Sequence, residues 1–113
     1  MDCLFCKIAA GEIPSTKVYE DELVYAFRDI EPQAPMHVLI IPKEHITSAN
    51  DLNDKNVSIV GHIFAVAAKI AKAEGVDKGG YRIVNNCGED GGQTVKHLHF
   101  HMLGGRSLAW PPG

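Results

Sequence analysis

The chain has 113 residues, 45% hydrophobic and 22% charged, with a net charge of −3. That length makes one domain, residues 1–113, able to bury roughly 60 to 70% of its unfolded surface without staples, and the mild acidity leaves out the basic stripe that sequence-independent nucleic-acid binding needs. No apolar run approaches the roughly 18 residues that span a bilayer, Met1-Asp2-Cys3 does not open a signal peptide, and three cysteines cannot all pair, so reduced thiols, a cytoplasmic location and no membrane partner are expected.

In chain order, Leu4, Phe5, Ile8 and Ala9 recur at helical spacing, which predicts a short helix over residues 3–10 stopped by Gly11. Residues 17–20 and 23–27 flank Asp21-Glu22 as two short apolar and aromatic runs, the pattern of a tight antiparallel hairpin whose turn lacks the favoured glycine. Pro32 and Pro35 then break the chain. The β-branched run 36–41 reads as a strand closed by Pro42, with His37 as its polar interruption. Residues 43–53 read as loop with a helical turn at most.

A long helix is predicted over 54–74, capped by Asn53 or Asp54, with Val60, Ile63, Phe64, Ala67, Ile70 and Ala71 on its apolar face and Gly75 as its stop. Gly79-Gly80 turn into a strand over 81–86, Cys87 reads as a small buried hydrophobe, and a glycine-rich loop, 88–92, leads to a last strand. The fold class is therefore α+β, a five-stranded antiparallel sheet with one long helix and a short N-terminal helix. Pro111 and Pro112 leave the end of the chain as an extended tail.

The last strand carries the chemistry. His97, His99 and His101 alternate with Leu98, Phe100 and Met102, so the imidazoles share one face and the apolar residues enter a core. Neutral imidazole is a competent phosphorus nucleophile near pH 7, and His99 is central. Just upstream, Gly91-Gly92-Gln93-Thr94 offer backbone N–H groups, an amide and a hydroxyl, donor chemistry that suits an oxyanion. A histidine-rich metal site is the other reading of the ladder. Cys3-x-x-Cys6 with His45 and His97 makes a second constellation, a Cys2His2 set of the kind zinc takes in closed structural sites.

His97-Leu98-His99-Phe100-His101-Met102-Leu103 resembles the signature of the histidine triad family, and the likeness extends through Asp29-Ile30-Glu31-Pro32-Gln33-Ala34-Pro35-Met36-His37 and Ile41-Pro42-Lys43-Glu44-His45 to Trp110-Pro111-Pro112-Gly113. The nearest branch is that of histidine triad nucleotide-binding proteins that hydrolyse nucleoside phosphoramidates. The resemblance implies that His99 attacks the α-phosphorus to give a nucleotidyl-histidine, an instance of covalent catalysis. His101 would stand beside the phosphate oxygens, with His97 and His37 orienting the array from behind.

By the same resemblance Asp29, otherwise a turn former, would accept the ribose hydroxyls, and Phe5, Ile8, Phe27 and Ile30 would form a slot for a purine. Thr94, where many relatives carry Ser, would bond a phosphate oxygen or the leaving amine. Gly92, Gln93 and Asn86 would add donors, although Asn85-Asn86-Cys87-Gly88 alone reads as a turn. Arg28 stands where many relatives have His. Some relatives with an N-terminal Cys-x-x-Cys bind zinc there, so a structural zinc is expected and no cofactor is required for catalysis. Unpaired sheet edges, the apolar Val57, Phe64 and Ala68, and the lone Trp110 on the tail point to a homodimer. The substrate would be an AMP-type purine phosphoramidate, with a dinucleoside polyphosphate hydrolase and a nucleotide-binding scaffold as the alternatives.

Overall fold

The computed structural model describes residues 3–113; Met1 and Asp2, which enter the reading of the amino terminus, lie outside the described residues. Helix α1 (Leu4–Ala9) precedes strands β1 (Lys17–Glu20), β2 (Val24–Arg28) and β3 (Met36–Pro42). A 3-10 turn at Ala49–Asp51, helix α2 (Ser58–Ala73), and strands β4 (Tyr81–Val84) and β5 (Phe100–Gly104) follow. The strands make one antiparallel sheet in the order β1-β2-β3-β5-β4. The α+β fold is the one expected.

Strand periodicity sorts the side chains into two layers. Val24 and Ala26 of β2, Met36, Val38 and Ile40 of β3, and Phe100 and Met102 of β5 pack with Ile63, Val66, Ala67, Ile70 and Ala71 of α2. Each large aliphatic side chain buried there is worth roughly 1.5 to 3 kcal/mol, so this face holds most of the stability. On the other face Tyr25, Phe27, Leu39 and Ile41 pack with Phe5 and Ile8 of α1. Because α1 has only 6 residues, it covers part of that face. The uncovered part is where the histidines stand.

Several expectations shift in detail. Helix α2 begins at Ser58 rather than 54; Asn53 does cap, but it caps the turn before the helix, accepting the Lys55 and Asn56 N–H groups on its side chain. Phe64 is half exposed rather than buried in the helix's apolar face, while its ring lies edge-on to Phe100 with centroids 6.0 Å apart. Val66 takes the place in the core. Asp21 does the work of the missing turn glycine by accepting the Leu23 and Val24 N–H groups at 2.8 and 2.9 Å. Cys87 is partly exposed, not buried.

The last strand is shorter than the histidine pattern suggests. Pairing with β3 runs from Met36 opposite Gly104 to Ile40 opposite Phe100 and stops, because Pro42 has no N–H to continue a ladder. Residues 97–99 instead lie against the loop after β3, where the Leu98 N–H donates to the Ile46 carbonyl at 2.6 Å. The alternation survives: Leu98 is buried in the α2 layer, and the three histidines remain opposite it.

Candidate active site

Asp29 and Ile30 follow directly on β2, His37 is the second residue of β3, and His101 the second of β5. Register sets the first contact. His37 is opposite Leu103 and His101 opposite Leu39, so the two histidines are diagonal neighbours, and His37 Nε2 lies 2.9 Å from His101 Nδ1. His99 stacks edge-on to His101 with ring centroids 5.1 Å apart. That is closer than a strand's two-residue repeat of roughly 6.5 to 7 Å, since the rings tilt toward each other.

Three hydrogen-bond chains fix which nitrogen of each ring carries its proton. Burial lowers the pKa of His37 despite the nearby Asp29 carboxylate, and lowers that of His97. Burial, with the neighbouring His99 and His37 rings, pushes His101 down to about 4. All three are neutral at pH 7, so each has one donor and one acceptor nitrogen. The Gln33 N–H donates to His37 Nδ1 at 3.0 Å, so His37 carries its proton on Nε2, donates it to His101 Nδ1, and leaves His101 with an Nε2–H. At the centre, His99 Nδ1 lies 2.7 Å from the His97 carbonyl. A carbonyl only accepts, so Nδ1 holds a proton and, in the neutral ring, Nε2 keeps its lone pair.

His97 is turned away from this array. Its Nε2 donates to the Pro42 carbonyl at 2.8 Å, which leaves the Nδ1 lone pair facing Cys3 Sγ at 3.2 Å and Cys6 Sγ at 3.5 Å. His45 Nδ1 lies 3.4 Å from Cys6 Sγ, and all four ligand atoms fall within 4.8 Å of one another. Tetrahedral bonds of about 2.3 Å to sulfur and 2.0 to 2.1 Å to nitrogen set S···N separations of about 3.6 Å. The set therefore fits a closed Cys2His2 metal centre, with the Pro42 carbonyl fixing the tautomer of one ligand. Cys3 also caps α1, its sulfur accepting the Cys6 N–H.

A cleft of about 350 Å³ opens beside His99 and His101. Of the residues named from the sequence, Phe5, Ile8, Phe27, Asp29, Ile30 and Thr94 line it with those two histidines. Ile30, 95% exposed, forms its outer lip. Asp29 is both turn former and cleft residue: Oδ1 accepts the Glu31 N–H at 2.8 Å, and Oδ2 lies 3.5 Å from His37 Nε2. Arg28 borders the cleft, yet strand alternation sends its head group to the α2 side, where it pairs with Glu74 at 2.7 Å.

The glycine-rich loop departs from expectation. The Gly92 N–H donates to Glu89 and the Gln93 N–H to Gly88 within the loop. The Gln93 amide donates to the Thr47 and Val95 carbonyls and accepts from the Gly88 N–H. A Cβ on Gly91 would collide with the Cys87 carbonyl. The loop's backbone donors thus turn inward and the Gln93 amide ties it to Thr47 and Val95; Gly92 and Gln93 line a neighbouring cleft that shares Thr94, rather than the one beside His99, and Asn86 lines neither. Asn85, which was not singled out, reaches the site instead by donating to the His99 carbonyl at 2.9 Å. Leu39 also lines the cleft, and its place two residues after His37 on one strand was the available signal.

Residues 10–108 match the HIT domain. The chain belongs to the HIT family. The crystal structure of a HIT family hydrolase from Legionella pneumophila superposes with a TM-score of 0.97 at 56% identity, covering 99% of this chain and 100% of that one. A histidine triad protein from Clostridium difficile gives 0.95 at 60% identity, over 96% of this chain and 95% of that one. A 14 kDa zinc-binding protein of Zea mays is 52% identical over 112 residues, 97% of this chain and 87% of its own. In this HIT protein the triad is divided: two rings face the cleft, and the third faces two thiols.

Proposed function

We propose that the protein hydrolyses the P–N bond of purine nucleoside 5′-phosphoramidates of the adenosine type through a nucleotidyl-His99 intermediate. The observation that carries this is the 2.7 Å contact of His99 Nδ1 with the His97 carbonyl, which puts the proton of the uncharged ring on Nδ1 and leaves Nε2 as the nucleophilic nitrogen at the wall of an apolar cleft. Attack of Nε2 on the α-phosphorus forms a P–N bond to the imidazole as the bond to the leaving amine breaks. The amine takes up a proton, for which the His101 Nε2–H and the Thr94 hydroxyl are the candidate donors. Water then displaces His99 from phosphorus, giving the nucleoside monophosphate and restoring the enzyme.

Phe5, Ile8, Phe27 and Ile30 make a slot that reads a base by shape, and Asp29 stands where two ribose hydroxyls can donate to a carboxylate. Hydrolase activity is consistent with the description of the Legionella neighbour. Cys3, Cys6, His45 and His97 would hold zinc, as the name of the maize relative suggests; bound there, it would tie α1 to the residues before β5, with no open position for a reacting water. The thiolates of such a site suit a reducing compartment, so the cytoplasm is the proposed location. The exposed Val57 and Phe64 and the outer edge of β4 make a two-fold homodimer the proposed assembly, with Trp110, 81% exposed in one chain, available to the partner.

The test is a comparison of kcat/KM for adenosine 5′-phosphoramidate against diadenosine tri- and tetraphosphate. A preference for the phosphoramidate of at least tenfold is expected. Faster cleavage of the polyphosphates would replace this reading with a dinucleoside polyphosphate hydrolase, and binding of AMP without turnover of either would leave a nucleotide-binding scaffold.

A further inference from the structure

We propose that Arg106 is a positioning residue that holds His101 in its Nε2–H tautomer through the backbone of Gln33 and the ring of His37. This rests on the preceding reading insofar as His101 serves as a proton donor in the cleft. Arg106 Nε and Nη2 both donate to the Gln33 carbonyl, at 3.1 and 2.9 Å, and Nη1 donates to the Ser107 carbonyl at 3.0 Å. A guanidinium fork closing on one oxygen fixes direction as well as distance. Gly105 makes the approach possible: its φ is +90°, and a Cβ there would come within 3.0 Å of Pro35 Cβ, so the turn after β5 lies directly on the loop before β3.

The consequence runs along a line of four residues. Gln33 is pinned by its carbonyl, and its N–H, which belongs to the preceding peptide, then points at His37 Nδ1 at 3.0 Å. The effect is positional, since carbonyl and N–H belong to different peptide groups. With Nδ1 occupied as an acceptor, His37 donates from Nε2 to His101 Nδ1 at 2.9 Å, and the His101 proton must sit on Nε2. Were Gln33 to move, only the Asp29 carboxylate, 3.5 Å from His37 Nε2, would still favour a proton there; in the molecules where His37 carried its proton on Nδ1, His101 would donate from its own Nδ1 to His37 Nε2, and the cleft would face a lone pair where a proton is needed. Arg106 is outside the cleft lining and touches neither histidine in the contacts that hold it.

Histidine-selective nitrogen NMR on the full chain at neutral pH tests this in wild type, Arg106→Met and Arg106→Lys, the last keeping the charge but not the fork. Wild type is expected to show the Nε2–H form for His37 and His101. In Arg106→Met both should move toward a mixture of tautomers while His99 keeps its Nδ1–H, with Arg106→Lys between the two. In turnover, kcat should fall roughly tenfold with KM within a factor of two, short of the roughly hundredfold or more that losing a general acid costs. An unchanged His101 spectrum in Arg106→Met would overturn the proposal, as would equal displacement of the His37, His99 and His101 signals, which marks general loosening. If wild type turns over no phosphoramidate, the functional reading fails while the tautomer spectra still decide this one.

Discussion

The two ends of the histidine row use the same side chain for opposite purposes. At the His97 end, ring nitrogens and sulfurs converge: His97 Nδ1, His45 Nδ1 and two thiols lie within 4.8 Å of one another, the donor set of a closed metal centre. At the His101 end, donors and acceptors alternate from the Gln33 N–H through His37 to His101, an arrangement that is already satisfied and instead sets where a proton sits. His99 lies between and draws on both, taking its Nδ1 acceptor from the His97 backbone and its ring neighbour from His101. What an imidazole does is decided by the partner of its other nitrogen.

That contrast can be broken from either end. The largest effect is expected in the middle: His99→Gly should lower kcat by several orders of magnitude with the fold and AMP binding retained, because no other group can form the covalent intermediate. Steady-state kinetics and calorimetric AMP binding on the same preparation check it, and more than a few per cent of wild-type kcat would count against it. At the metal end, protein purified without chelator is expected to carry one zinc per chain, and Cys6→Ser to lose it and to melt at lower temperature. Elemental analysis with thermal unfolding measures both. Because the His97 carbonyl also holds His99, stripping the metal should disturb turnover as well as stability.

At the other end, Asp29→Asn should raise KM for ribonucleotide substrates by a factor corresponding to roughly 1.5 to 3 kcal/mol, the worth of a charge-assisted hydrogen bond, and should change 2′,3′-dideoxy substrates far less. Equal losses on both would reduce Asp29 to its turn. A further effect is on stability in acid. The His101 pKa falls from about 6.5 unfolded to about 4 in the fold, so between those values the unfolded chain binds more protons. Stability is expected to be unaffected by this group above about pH 6.5, to decline as pH falls toward 4, and to change no further below it. His37 acts in the same direction. Urea unfolding of wild type and His101→Ala across this window would show the difference as a shallower slope in the variant.

The sequence made the layers legible because period two and period 3.6 are local properties. Val38, Ile40, Phe100 and Met102 entered the α2 layer as their spacing required, and His37, Leu39 and Ile41 share the other face for the same reason. The Cys2His2 set was expected from the Cys-x-x-Cys spacing together with the family resemblance, and the structure brings its four members together. What could not be read locally is where hydrogen bonds go. Gly92 and Gln93 have the composition of an anion cradle, but whether a loop's donors face outward or close on its own carbonyls depends on the fold of the whole segment. Here they close. Asn85 and Asn86 are chemically identical neighbours, and only the end of β4 beside β5 decides that Asn85 reaches the His99 carbonyl. Arg28 borders the cleft in sequence, yet the alternation of β2 and the position of Glu74 carry its charge to the other side of the sheet.

In the proposed reaction His99, and not a water held by the other groups, attacks phosphorus. Wild-type protein mixed with adenosine 5′-phosphoramidate labelled at phosphorus, then quenched within the first turnover and digested, tests it most directly. The expected result is label on a peptide containing His99, acid-labile as a phosphorus–imidazole bond is, and absent from His99→Gly. Single-turnover product formation with no label on protein at any quench time would contradict it.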